Sequence, residues 1–253
     1  MCRHLAYVGP PVTLAALLLE PPHSLLRQSW APREMRGGGT INADGFGVGW
    51  YPISSGPTSS AAEAVRYRRA SPMWSDAALA GLARVTTSGA ILAAVRSATA
   101  GMPVTEGACA PFAGAGFLFS HNGRVMGWPG SVAKLAERLP VTDLLTLDAP
   151  TDAALLWALL RHRLRGGADP AAALAATVSE VDAAAPGSRL NLLLTDGRRV
   201  YATTAGHSLS IAFPAPGAVA VASEPYDDDP TWQPVPDRSL VVASPATYTV
   251  EDL

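Results

Sequence analysis

Two stretches in the middle of this chain, residues 151–165 and 170–182, constrain its fold more than any other feature. The first carries Leu155, Leu156, Leu159, Leu160 and Leu164, the three-and-four spacing of one apolar helix face. The second is rich in alanine and begins with Pro170, which suits a first helical turn because the N–H it lacks would go unpaired there anyway. Short apolar, β-prone segments lie on both sides of this pair. Before it come 2–8, 64–69 and 90–95, with another strand entered from the turn residues Asn42-Ala43-Asp44-Gly45. After it come 190–195, 199–203, 208–213, 219–222, 239–243 and 248–250. Shorter helical stretches are expected at 12–19, 24–30, 75–85 and 131–138. A helix with one apolar stripe needs a sheet to cover it, so this order predicts two sheets with helices packed outside them. No repeat or long linker interrupts the pattern, and residues 1–253 are expected to form a single domain.

Composition removes several classes of function. Apolar residues make up 48% of the chain and charged residues 16%, which is a globular balance rather than a disordered one. A net charge of −2 without a Lys/Arg-rich block argues against a nucleic-acid partner. Cys2 and Cys109 are the two cysteines; they make no disulfide framework, and no Cys/His cluster suggests a metal. A reduced intracellular protein is the expectation. The apolar run 12–19 follows Pro10-Pro11, precedes Glu20-Pro21-Pro22 and has no Ala-x-Ala site, so it is not read as a signal peptide. No run approaches the roughly 20 apolar residues of a membrane span, and a cytoplasmic location is expected. No cofactor is implied; association into homo-oligomers is left open.

The chain opens Met1-Cys2-Arg3-His4-Leu5-Ala6-Tyr7-Val8-Gly9. Removal of Met1 would leave a nucleophile and a free α-amine on one residue. With unperturbed pKa values of about 8 for the amine and about 8.5 for the thiol, the amine can take the thiol proton near neutral pH. Taken alone, a cysteine at position 2 needs no function, and three later features share that ambiguity. Arg96 follows the strand 90–95 and could be a solvated arginine. Asn122-Gly123, between apolar runs, is the strongest short-range signal for a hairpin turn. Asp152, after Thr151, suits a helix N-terminus whatever else it does. Gly45, Gly47 and Gly49 alternate along their strand, a sign of close approach by another backbone or a ligand; without a following Lys-Ser/Thr they make no phosphate loop. Residues 33–40 and 53–62 are expected loops, the second a flexible hairpin. Asp196-Gly197 predicts a hairpin between its flanking strands. Cys109, ahead of Pro111-Phe112, reads as structural or incidental.

Together and in this order, these groups describe a site for a γ-glutamyl substrate. On Cys2, on Arg96 within Val95-Arg96-Ser97-Ala98-Thr99-Ala100-Gly101, on Ser120-His121-Asn122-Gly123 and on Thr151-Asp152, the chain resembles the class II glutamine amidotransferases, a branch of the N-terminal nucleophile hydrolases. The resemblance runs over essentially the whole chain. It implies an α+β fold, the four-layer αββα sandwich with two mostly antiparallel sheets. It also implies roles. Cys2 would attack the γ-carbonyl, its amine serving as base and then as acid. The Asn122 side-chain NH2 and the Gly123 backbone N–H would face the oxyanion. Arg96 would hold the α-carboxylate in a bidentate fork, Asp152 the α-ammonium, with Ser97 and Thr99 as further substrate-binding residues. His121 is expected to be a structural neighbour of the oxyanion donors rather than a base. Water would resolve a glutamyl thioester.

The opening Cys2-to-Gly9 run, the run from Asn42 to Tyr51 and Ala222-Ser223-Glu224-Pro225 narrow the likeness to the members of that family that act in ergothioneine biosynthesis. That implies cleavage of γ-glutamyl-hercynylcysteine S-oxide to hercynylcysteine S-oxide and glutamate. Two departures from the glutamine-dependent members point the same way. Ser97 stands where many have an aromatic residue, and Ala100 where many have histidine, which would leave room for a bulky γ-amide substituent. No synthetase or transferase domain follows, so ammonia would have no acceptor on this chain. The alternative is a glutaminase subunit that passes ammonia to a separate synthetase. A third reading, a non-catalytic domain that keeps the pocket for binding, is opposed by the complete residue set. A trimethylammonium group would need aromatic faces or acids. Trp30, Trp50, Trp74, Trp128 and Asp227-Asp228-Asp229 are candidates, each with a plainer reading as core, rim or solvated loop.

Overall fold

The computed structural model describes residues 2–34, 41–53 and 63–253; most of the two expected loops, 35–40 and 54–62, lies outside these. The strands are β1 (Arg3–Thr13), β2 (Phe46–Trp50), β3 (Val65–Arg69), β4 (Thr87–Val95), β5 (Phe112–Gly114), β6 (Phe117–Arg124), β7 (Arg189–Thr195), β8 (Val200–Thr204), β9 (Ser210–Ala212), β10 (Val219–Ala222), β11 (Gln233–Pro234), β12 (Ser239–Ser244) and β13 (Thr247–Asp252). The helices are α1 (Leu14–Leu18), α2 (Leu25–Gln28), α3 (Leu79–Val85), α4 (Ala133–Ala136), α5 (Val141–Leu145), α6 (Asp152–Arg165) and α7 (Pro170–Ala184).

Among the described residues the strands form two sheets, ordered β11-β9-β10-β1-β4-β2-β3 and β13-β12-β8-β7-β6-β5. Neighbouring strands run antiparallel, as β1 does with both β4 and β10. Side chains on one strand alternate between the two faces of its sheet, and the apolar layers follow that rule. Leu5 and Tyr7 of β1 pack outward with Leu14 and Leu18 of α1 and Leu79 of α3. Ala6 and Val8 face inward, toward Leu193, Ala202 and Val241 of the second sheet. The far side of that sheet, through Leu190, Leu192 and Leu194, meets α6 and α7. This is the expected αββα sandwich. The inner layer is rich in alanine and valine, small enough to let the sheets pack closely.

The central helices form where the leucine stripe placed them, α6 capped by Thr151, whose side chain accepts from the Ala154 N–H, and α7 by Asp169. One expectation fails. Asn122-Gly123 is not a turn: both residues lie inside β6, opposite Asn191 and Leu190 of β7. The hairpin lies a few residues earlier, where Ala115 and Gly116 take positive φ between β5 and β6. Asp196-Gly197 does turn, joining β7 to β8. The alternate glycines of β2 admit close neighbours as expected: a Cβ on Gly49 would lie 2.8 Å from the Pro111 ring and 2.9 Å from the Leu118 methyls, and one on Gly47 would collide with the Ala110 carbonyl.

Candidate active site

Cys2 directly precedes β1, and β1 runs between β10 and β4. The residue is half-buried, with its Sγ 3.7 Å from the Ser97 carbonyl oxygen. A buried ion pair holds the start of this strand: Arg3 Nε lies 3.3 Å from Glu224 Oε2, both side chains almost inaccessible. Arg3 Nη1 donates to the Cys2 carbonyl at 3.0 Å, and its Nη2 donates to the Glu34 carbonyl. Glu224 also accepts from the backbone N–H groups of Arg33 and Glu34. Both oxygens of this buried carboxylate thus accept hydrogen bonds, and a guanidinium pairs with it, as burial of a charge requires.

Arg96 leaves the end of β4 and is clamped by the turn before β2. Its N–H donates to Gly45 O at 2.8 Å, Asp44 N–H donates to its carbonyl at 3.0 Å, and Ala98 N–H donates to Asp44 Oδ2 at 2.8 Å. Gly45 takes φ +122°, and a Cβ there would meet Cys109 Sγ and Arg69 O, so only glycine fits this corner. The guanidinium spends Nη1 on Pro103 O and, at 3.5 Å, Asp44 O. Its Nε and Nη2 have no partner among the described residues, and no acid there pairs with it.

A cleft of about 530 Å³, open solvent at its mouth included, brings the predicted groups together: Cys2, Arg96, Ser97, Thr99, Gly123 and Asp152 all line it. Asp152 stands in the first turn of α6, where the helix dipole favours a carboxylate. Its Oδ2 accepts from Val125 N–H and its Oδ1 from Ala153 N–H. Asn122 is the exception. It is 1% exposed and buried between His121 and Gly123, which line the cleft while it does not. Its Oδ1 has no partner. His121 Nε2 lies 2.9 Å from the Arg189 carbonyl. The arrangement offers a thiol, a guanidinium with spare donors and a carboxylate around one space, suited to a substrate that is both anionic and cationic at its far end. Among the described residues no group of three or more His, Cys, Asp or Glu side chains could hold a metal ion.

The structure separates the remaining candidates. Ala100 lines a neighbouring cavity, which shares Thr99 and Asp152 with the cleft and also receives Trp128. Trp30 and Trp74 form an exposed edge-to-face pair, centroids 5.9 Å apart. Trp50 packs against the outer apolar layer. Asp228 pairs with Arg33 and His23, and Asp227 accepts from the Trp232 indole, so this acidic run ties loops together. Cys109 is buried and free, its thiol pushed up to about 11 chiefly by burial. Sequence reasoning gave no role to Arg3 or Glu224. The available signal was a charged residue at the start of one apolar strand segment, Arg3, and another two residues past the end of a second, Glu224.

Comparison with known proteins agrees with the fold. The description of class II glutamine amidotransferases matches residues 14–220. A γ-glutamyl-hercynylcysteine sulfoxide hydrolase from Mycolicibacterium smegmatis is 42% identical over 255 residues, covering all of both chains. One of the same name from Mycobacterium tuberculosis is 40% identical, covering all of this chain and 97% of the relative. Among solved structures, a class II glutamine amidotransferase domain protein from Silicibacter pomeroyi superposes with a TM-score of 0.66 at 24% identity, over 99% of each chain. The allosteric regulatory enzyme of purine biosynthesis superposes at 0.71 with 14% identity, over 99% of this chain and 49% of that one. These structures share the sandwich, and the sequence matches reach further. The chain belongs to the class II glutamine amidotransferases.

Proposed function

We propose that this chain hydrolyses the γ-glutamyl amide of γ-glutamyl-hercynylcysteine S-oxide in ergothioneine biosynthesis, releasing hercynylcysteine S-oxide and glutamate. The observation that carries this reading is the cleft in which the Cys2 thiol, the spare donors of Arg96 and the Asp152 carboxylate meet. Those three groups complement the γ-carbonyl, α-carboxylate and α-ammonium of a glutamyl residue. The two sulfoxide hydrolases at 40–42% identity support the choice of leaving group.

Loss of Met1 frees the Cys2 amine. That amine takes the thiol proton, and the thiolate adds to the γ-carbonyl. The Gly123 N–H and the Asn122 amide N–H receive the oxyanion, each such donor contributing about 2.7–4 kcal/mol to the transition state. Collapse breaks the C–N bond, and the Cys2 ammonium returns its proton to the departing amine. Water, deprotonated by the same amine, then cleaves the glutamyl thioester and frees the thiol. The chemistry needs a reduced thiol, in keeping with a cytoplasmic setting.

A panel assay tests the substrate: glutamate release from the hercynyl conjugate is expected to exceed release from glutamine and from simpler γ-glutamyl amides. Preference for glutamine would make the chain an ammonia supplier instead. Cys2→Ala should bind substrate without turnover. The mass of the mature N-terminus tests the mechanism, because a retained Met1 would leave no amine to act as base.

A further inference from the structure

Among the buried side-chain atoms without a partner are Asn122 Oδ1, His4 Nε2 and His207 Nδ1. All three residues are at most 3% exposed. Buried polar atoms in native proteins are satisfied with few exceptions, so each of the three calls for an account.

Their neighbourhood follows from strand register. Ser120 and Asn122 are two apart on β6 and so share its inward face with Leu118, which belongs to the layer between the sheets. His4 stands two residues before the inward-facing Ala6 of β1, and its Nδ1 lies 3.1 Å from Ser120 Oγ. Asn191 lies directly across from Asn122. Its Oδ1 accepts from the His207 N–H at 3.1 Å, and its Nδ2 donates to the His207 carbonyl at 3.0 Å. Ser120 thus links His4 to the face that carries Asn122, and Asn191 links that face to His207. Burial holds both imidazoles neutral, His4 and His207 each titrating at about 3.

We propose that His4 and Ser120 are positioning residues for Asn122, acting through one buried water molecule bonded to Asn122 Oδ1, His4 Nε2 and His207 Nδ1. A water with three such partners is the usual content of a polar internal site. The hydrogen count closes. Ser120 O–H donates to His4 Nδ1, which puts the His4 proton on Nε2, and Nε2–H donates to the water. The water gives one hydrogen to Asn122 Oδ1 and the other to His207 Nδ1. With its oxygen tethered inward, the carboxamide turns its NH2 toward the cleft wall that His121 and Gly123 form. Orientation of this amide matters only once negative charge develops on the substrate oxygen, so its loss lowers kcat and leaves KM nearly unchanged. The inference rests on the oxyanion role proposed above for Asn122.

A double-mutant cycle tests it. Ser120→Ala and His4→Asn are each measured alone and in the Asn122→Ala background. Asn122→Ala is expected to lower kcat by about 10²–10³. Each positioning variant alone should lower kcat by roughly three- to thirtyfold with KM within twofold, and neither should lower it further once Asn122 is alanine. The same factor in both backgrounds, or a fall in kcat/KM that comes from KM, overturns the positioning role while leaving the oxyanion role intact. Wild-type kcat in Asn122→Ala overturns both. If His4→Asn does not fold, the Ser120→Ala cycle gives the answer alone. A crystal structure of the Cys2→Ala protein should show the water within hydrogen-bond distance of all three atoms, and its absence there overturns the link.

Discussion

At the scale of single residues, Arg96 carries the recognition half of the proposed chemistry. Its charge is unpaired by any acid among the described residues, and its Nε and Nη2 are left to form a fork. Arg96→Lys keeps the charge and loses the fork. A hydrogen bond to a charged group contributes about 1.5–3 kcal/mol, so kcat/KM should fall roughly ten- to a hundredfold, read from initial rates on the γ-glutamyl substrate. A change of less than twofold would mean that Arg96 does not hold the carboxylate. Arg3 and Glu224 act differently, as a buried pair beneath Cys2. Glu224→Gln strands the guanidinium, and breaking a buried pair typically costs roughly 3–5 kcal/mol. Urea denaturation should show that loss, and full stability in the variant would count against the pair as the anchor of β1. That Cys2, Arg96, Gly123 and Asp152 belong together was legible only through the family resemblance, since residue type alone left each ambiguous; the fold places all four on one cleft. The Arg3–Glu224 pair was not, since it exists only once segments 221 positions apart meet.

The same distinction holds for elements. The α6 and α7 helices could be read directly because periodicity and caps are local signals. The two-residue strand β11 and the short helix α5 carry no such signal. The misreading of Asn122-Gly123 is instructive. Turn propensity is a local preference, and here the ladder to Asn191 and Leu190 overrides it. A Cβ on Gly123 would strike the Arg189 carbonyl, so this glycine serves close strand approach rather than a turn. The corner at Gly45 joins element to site, because the Gly45 carbonyl receives the Arg96 N–H. Gly45→Ala forces a side chain into the left-handed region, against Arg69 O at 2.7 Å. The expected loss is at least about 1–3 kcal/mol from backbone strain alone, together with a lower kcat/KM as the Arg96 loop shifts. Thermal denaturation and kinetics check the two effects separately. Wild-type values in both would show that the corner tolerates a side chain.

Over the whole molecule, the alternation of strands, helix pair and strands made the sandwich legible, while the order of strands within each sheet was not. Nothing local tells β1 to lie between β4 and β10, and that placement buries His4; His207, in the segment after β8, is buried as well. Both imidazoles then titrate at about 3 in the folded protein against 6.5 when exposed. For His4 the causes are burial first, then His121, His207 and Arg3; for His207 they are burial, then Arg189, Arg3 and His121. The sign follows from proton uptake. Well above pH 6.5 neither the folded nor the unfolded chain protonates these groups, and stability is unaffected. As pH falls from 6.5 toward 3, the unfolded chain binds two protons that the folded one refuses, so stability declines. Each histidine contributes a slope of up to about 1.4 kcal/mol per pH unit. Urea denaturation between pH 6.5 and 5, above the range where most carboxylates titrate, should therefore show a loss approaching 3 kcal/mol per unit at its lower end. His207→Gln removes one titrating group and should remove about half of that slope. An unchanged slope in the variant would mean that His207 takes up its proton in the folded protein, and that the space between the sheets is open to water.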